Sequence, residues 1–247
     1  MAGPDDWEPV TRSRTYELVL TRIEQLILDG RLRVGDRLPP ERELSEMLGV
    51  SRAAIREALR VLEAQGALRP RVGTGPDSGN VIAAMPGAGL TQFLRLHIAL
   101  AHFSLDDVVE ARAVLERSSA RLAAERAGPE DLARMREQLD RMDEVGLPRE
   151  AFNDYDTDFH VAIAEAAGNP LVADLTVSVR NAVRQTLLTV FHRVEDWEAV
   201  AARLRAEHRA IYDAVEAGEA ERAGEAVETH IRSVHRDIVL PSLAPVP

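Results

Sequence analysis

The chain has 247 residues and no cysteine, so it can bury one large core or two moderate ones, and it can form neither disulfides nor thiolate metal sites. No basic segment followed by an apolar run opens the sequence, and no apolar stretch reaches bilayer length, so a cytoplasmic chain without a membrane partner is expected. The net charge of −11 argues against a nucleic-acid partner until the chain is split: residues 1–80 hold 12 Arg against 13 Asp and Glu, whereas residues 81–247 hold 18 against 28.

Residues 1–11 contain two prolines and three acids without periodicity and are expected to be disordered. Thr15–Asp29 places Leu18, Ile23, Leu26 and Ile27 at helical spacing, and Gly30 stops that helix. Gly35-Asp36 marks a turn, after which Leu38 can pack beneath the next helix. That helix, Pro40–Leu48, carries Glu41 and Glu43 at its positive end and closes on Gly49. Ser51 is a good N-cap for a second helix, Arg52–Ala64, whose Ile55, Leu59 and Leu62 face inward. Arg52 and Arg56 are four residues apart and share its outward face, as a helix-turn-helix reader of the major groove requires.

Ala67–Arg71 and Val81–Ala84 read as the two strands of a wing, with a Gly- and Pro-rich tip over Val72–Asn80. Arg69 and Arg71 alternate with Leu68 and Val72 and can share one strand face. Clustering of Arg42, Arg52, Arg56, Arg69 and Arg71 must supply the phosphate contacts, because the segment as a whole is not basic. Modest affinity per monomer and reliance on a homodimer follow.

Met85–Gly89 reads as a linker, and beyond it the pattern is helical to the end. Leu90–Phe103 is apolar enough to be expected buried against both domains. Ser104 caps Leu105–Ala127, and Pro129–Val145 and Glu150–Ala167 follow, the latter ending at Gly168. Leu171–Val194, Trp197–Ala217 ending at Gly218, and Ala220–Leu240 ending at Pro241 complete about seven helices, an all-α bundle.

Asp156 and His160 are four apart on one helix, so both side chains point the same way. His208 and His230 lie ten and twelve residues from Gly218 on antiparallel helices, hence at similar heights. One carboxylate and three imidazoles converging there would bind a divalent metal; zinc, nickel and manganese all suit such a set. The alternative is an Asp156–His160 surface ion pair with two ordinary polar histidines. His97, His102, His192 and His235 read as surface or core residues. With open metal positions, and with Asp158 and Glu207 beside the ligands, a metal-dependent enzyme acting on small organic acids is the rival function.

The run from Leu18 to Ala84, with GRLRVGDRLPPERELSEMLGVSRAAIREALRVLEAQGAL at its centre, resembles the winged helix-turn-helix of the GntR regulators. The resemblance implies that Arg42, Arg52 and Arg56 contact double-stranded DNA, with Ser51 reaching phosphate. Arg71 and Gly73 of the wing join them, although the tip VGTGPDSGN is longer than the family's usual wing.

EARAVLERSSARLAA over Glu110–Ala124, DTDFH over Asp156–His160, and then Glu207-His208 and His230 resemble the FCD ligand-binding domain of the FadR-like branch. That resemblance implies metal ligation by Asp156, His160, His208 and His230, and a small carboxylate effector held additionally by Arg112, with Arg180 and Arg184 as further candidates. The expected protein is mainly α, a winged helix-turn-helix over residues 12–84 and an all-α bundle over 90–241. It is expected to act as a homodimeric regulator, a repressor by the family's usual arrangement, on a pseudo-palindromic operator.

Overall fold

The computed structural model describes residues 15–71, 79–84, 86–100 and 102–243. They fall into two units that meet between Gly89 and Leu90. Residues 1–11, the wing tip from Val72 to Ser78, and with it Gly73, lie outside the described residues.

The first unit is built on three helices and a ribbon. Helix α1 spans Thr15–Leu28, α2 Glu41–Leu48 and α3 Arg52–Ala64, followed by strands β1 (Leu68–Arg71) and β2 (Gly79–Ile82). Val19 and Ile23 of α1 meet Leu44 of α2 and Ile55, Leu59 and Leu62 of α3 in one buried cluster. The turn between α2 and α3 depends on Gly49, whose φ of 64° lies in the left-handed region and whose N–H closes on Ser45 O. Ser51 then accepts from Ala54 N, so the expected cap of α3 is formed.

The ribbon is antiparallel, with Leu68 opposite Ile82 and Arg69 opposite Val81. Its second strand begins two residues earlier than the apolar run Val81–Ala84 suggests. The reason is a further neighbour: Gly35 N donates to Ile82 O, Ile82 N to Asp36 O and Leu38 N to Asn80 O. That pairing holds Asn80–Ile82 on both edges and buries Leu38, Leu68 and Ile82 together.

Helix α4 (Pro86–Ala99) spans the boundary between the units. Its apolar residues are not buried as their hydropathy suggests: Phe93 and Leu96 are more than half exposed, as is Leu100 just past its end.

The second unit contains α5 (Leu105–Arg126), α6 (Pro129–Met142), α7 (Arg149–Ala166), α8 (Pro170–Arg193), α9 (Trp197–Glu216) and α10 (Ala220–Val234). Helix α5 packs against α7, α8, α9 and α10, so it is the central stave of the bundle. It starts at a capping box in which Ser104 Oγ accepts from Asp107 N while Asp107 accepts from Ser104 N. It approaches α10 closely at Gly224, where a Cβ would stand 2.8 Å from Arg121 Cγ. Phe152, Phe159, Ile163, Leu204, Tyr212 and Ile231 fill the core.

After α10 the backbone widens into a π turn, His235–Val239, and continues as α11 (Leu240–Leu243). Pro241 therefore does not end the helix. Leu240 N–H reaches five residues back to His235 O, and the proline falls in the first turn of the new segment, where a missing N–H is harmless. Among the described residues no helix is long and apolar enough to cross a membrane.

Candidate nucleic-acid interface and metal centre

In the first unit the amphipathic pattern of α3 turns Ile55, Ala58, Leu59 and Leu62 inward and leaves Arg52, Arg56 and Arg60 exposed. Arg42, on α2, is also exposed, with Glu46 3.9 Å away. Arg56 is not a bare cation: its Nε and Nη2 donate to the two oxygens of Glu41 at 3.3 and 2.9 Å. That hydrogen bond is the main cause holding the Glu41 carboxyl below the ordinary range. Arg69 is exposed on β1, while Arg71 is placed only by its backbone at the end of that strand. The unit thus carries exposed cations on two helices and a strand, and one of them is already oriented by a carboxylate from the neighbouring helix.

In the second unit Asp156 and His160 of α7, His208 of α9 and His230 of α10 are all buried, and one ligand atom from each lies within 4.8 Å of the others. Around this set stands a shell of carboxylates and arginines. His160 Nδ1 is 2.9 Å from Glu116 Oε2, and His230 Nδ1 is 2.7 Å from Glu207 Oε2. Each carboxylate claims the Nδ1 proton, which leaves Nε2 of either ring as a lone pair. For His160 that Nε2 is buried without a hydrogen-bond partner. His208 Nε2 lies 3.0 Å from Asp156 Oδ1, but out of hydrogen-bond alignment, so both its nitrogens are also unpartnered among the described residues. Buried, unpartnered nitrogens converging with a carboxylate are costly unless something occupies the space between them, and an N₃O donor set fits a divalent cation.

Electrostatics favour the unprotonated forms of Asp156, His160 and His230, the forms that could hold a cation. Burial alone would raise the Asp156 carboxyl; the Arg180 guanidinium, then His208, outweigh it and hold the carboxyl well below its usual value. Glu116 behaves alike: burial raises it, and Arg180, Arg112 and His160 bring it well below. For His160 burial, then Arg180, depress the imidazole well below its ordinary range; for His230 the causes are burial and then His208.

The three arginines of the effector set separate. Arg180 is buried on α8, donating Nε to Glu116 and Nη1 to Asp156 at 2.9 and 3.0 Å. Arg112 is buried on α5, donating Nε to Glu116 at 2.9 Å. Arg184 does not join them. It is exposed and paired with Asp154, because one further turn along α8 carries it out of the bundle. Glu116 and Glu207, which orient two of the imidazoles, were not singled out as ligand supports from the sequence. The four-residue step from Arg112 to Glu116, and the adjacency of Glu207 to His208, were the available signals.

Residues 15–76 match the family described as bacterial regulatory proteins, gntR family, and residues 107–233 match the FCD domain. The chain belongs to the GntR family. It is 31% identical over 235 residues to the HTH-type transcriptional regulator YcbG of Bacillus subtilis (strain 168), covering 94% of this chain and 93% of that one. It is 30% identical to the HTH-type transcriptional repressor NanR of Cronobacter sakazakii (92% and 86% covered) and 32% identical to the Glc operon transcriptional activator of Escherichia coli K12 (90% and 88%). Among solved structures, the Streptococcus agalactiae GntR superposes with a TM-score of 0.60 at 26% identity, covering 90% of this chain and all of that one. The chain is a DNA-binding transcriptional regulator with an FCD domain, and its relatives are regulators rather than enzymes. Repressor and activator names both occur among them, so membership alone does not fix the sign of control.

Proposed function

We propose that this GntR regulator is a repressor whose operator affinity is set by a small carboxylate metabolite bound at a metal centre in the bundle. The domains are read as residues 12–84 for DNA and 90–241 for the effector, working in the cytoplasm. The observation that carries the reading is the buried Asp156, His160, His208 and His230 set with its unpartnered imidazole nitrogens. Those four residues would hold a divalent ion, zinc before nickel or manganese, and the ion would offer a Lewis-acid point to a carboxylate oxygen. Glu116 and Glu207 orient His160 and His230, and Arg180 fixes the Asp156 carboxylate. Arg112 and Arg180 offset the charges of Glu116 and Asp156, so that a bound ion's charge would draw an organic acid inward.

Two chains present two copies of α3 to the half-sites of a pseudo-palindrome, with Arg42, Arg52 and Arg56 against the DNA and Ser51 and Arg71 at its edge. Effector binding changes operator affinity through a coupling free energy of typically about 1–3 kcal/mol.

Two substitutions separate the halves. Arg52→Ala is expected to weaken binding to the region upstream of the regulator's own gene by about 1–3 kcal/mol, in a gel shift, with metal content unchanged. His208→Ala is expected to deplete metal, by elemental analysis, while operator binding persists. Retained metal in that variant would remove the centre from the account.

A further inference from the structure

Beside the metal centre the bundle holds a cleft whose walls are apolar: Val108 from α5, Val183 and Leu187 from α8, Ile231 from α10 and Val239 from the π turn. Three polar side chains also line it, Arg112, Thr186 and His235. Arg112 is 6% exposed, donates its Nε to Glu116 and lines the cleft, so it sets a cation in that wall. His235 has a different arrangement. Its Nε2 lies 2.7 Å from Asp106 Oδ1, and its Nδ1 is buried with no partner among the described residues. A carboxylate only accepts, so the ring proton belongs on Nε2, and Nδ1 of the neutral imidazole is an acceptor lone pair. Both ends of the π turn, His235 and Val239, face this cleft, and π turns recur where a helix is bent to serve a ligand. Asp106, which anchors His235, and Arg112 are six residues apart on α5, about 9 Å along the axis.

We infer that His235 is an effector-binding residue, and that the effector is a monocarboxylic acid with an apolar body and a hydrogen-bond donor at its far end. The carboxylate meets Arg112, the body fills the Val/Leu/Ile walls, and a hydroxyl or N–H donates to His235 Nδ1. A polyhydroxylated sugar acid fits poorly, because most of its hydroxyls would lose water against apolar walls, where Thr186 and His235 are too few to partner them. This deepens the effector reading and rests on it.

Isothermal titration of the full-length protein with four six-carbon probes tests the inference. The probes are 6-hydroxyhexanoate, hexanoate, gluconate and 1,6-hexanediol. 6-Hydroxyhexanoate is expected to bind about tenfold more tightly than hexanoate, the worth of one buried hydrogen bond. Gluconate and the diol are expected to be the weakest, the first for its hydroxyls and the second for its missing carboxylate. His235→Phe should erase the tenfold preference and leave hexanoate affinity unchanged. Asp106→Asn alters only an exposed side chain, and should shrink the preference by freeing the His235 tautomer. Equal binding of the two acids, gluconate binding as tightly as 6-hydroxyhexanoate, a preference intact in both variants, or no binding of any probe would overturn the inference. Operator binding on the same samples separates it from the wider reading. Acids that bind with this preference yet leave DNA affinity unchanged remove effector control and leave the cleft's chemistry standing. A response to some other acid, with these probes inert, removes the cleft assignment alone.

Discussion

Arg180 reaches two carboxylates at once, Glu116 and Asp156, from a side chain that is 2% exposed. Deleting one partner of such a buried set leaves charges without compensation, and that is far more costly than losing a surface pair. Arg180→Met is therefore expected to lower stability by about 3–5 kcal/mol in urea denaturation of the bundle. Glu116→Gln leaves Arg112 and Arg180 short of a countercharge and also loosens His160, and metal-competition titration should find affinity about 10–100-fold weaker. The convergence of Asp156, His160, His208 and His230 was legible because helical geometry alone places Asp156 beside His160 and puts His208 and His230 level across the Gly218 turn. Their supports were less so. Glu116 lies on a different helix from His160, and no linear spacing joins the two until α5 is seen at the centre of the bundle. Arg184 misled for the complementary reason. It is one turn from Arg180 in sequence, yet that turn separates a buried position from an exposed one.

At the scale of elements, the helix-turn-helix was readable because each of its boundaries has a local chemical cause. Gly49 must take a φ of 64°, and Gly49→Ala is expected to cost about 1–2 kcal/mol, since a Cβ there crowds the following carbonyl. Ser51→Ala removes the cap on Ala54 N and is expected to cost about 1 kcal/mol. Hydrogen exchange at the Ile55 and Leu59 amides of the full chain checks both locally, without assuming that the two units unfold together. Elements governed by tertiary contacts were harder to read. Strand β2 is fixed by Gly35–Leu38 on its other edge as well as by its own alternation. Helix α4 has a core helix's hydropathy, yet Phe93 and Leu96 are each 53% exposed. The π turn at His235–Val239 has no sequence signature of its own, so Pro241 read as a stop.

For the molecule as a whole, the excess of acid beyond residue 80 and the sparing balance before it describe one regulator with two chemically different halves. The second half gathers its strongest electrostatics inside, and this makes its stability depend on pH in a definite direction. His160 and His230 sit well below their ordinary pKa in the folded chain, as do Asp156 and Glu116. In the unfolded chain the imidazoles take up protons below about pH 6.5 and the carboxylates below about pH 4. The unfolded state thus binds more protons throughout that window, and folding stability must fall as pH is lowered into it. A chelator-treated sample should therefore lose thermal stability of the bundle between pH 7.5 and 5.5, while the amides of α3, which packs around no histidine, hold their protection after correction for intrinsic exchange. Metal-loaded protein should be more stable throughout and fall in the same direction, because the ion binds the folded chain whose His160, His230 and Asp156 already carry no proton in this range. A flat profile in the chelated sample would mean that the His160 and His230 imidazoles are solvated in solution, and a metal centre built on their burial would then fail.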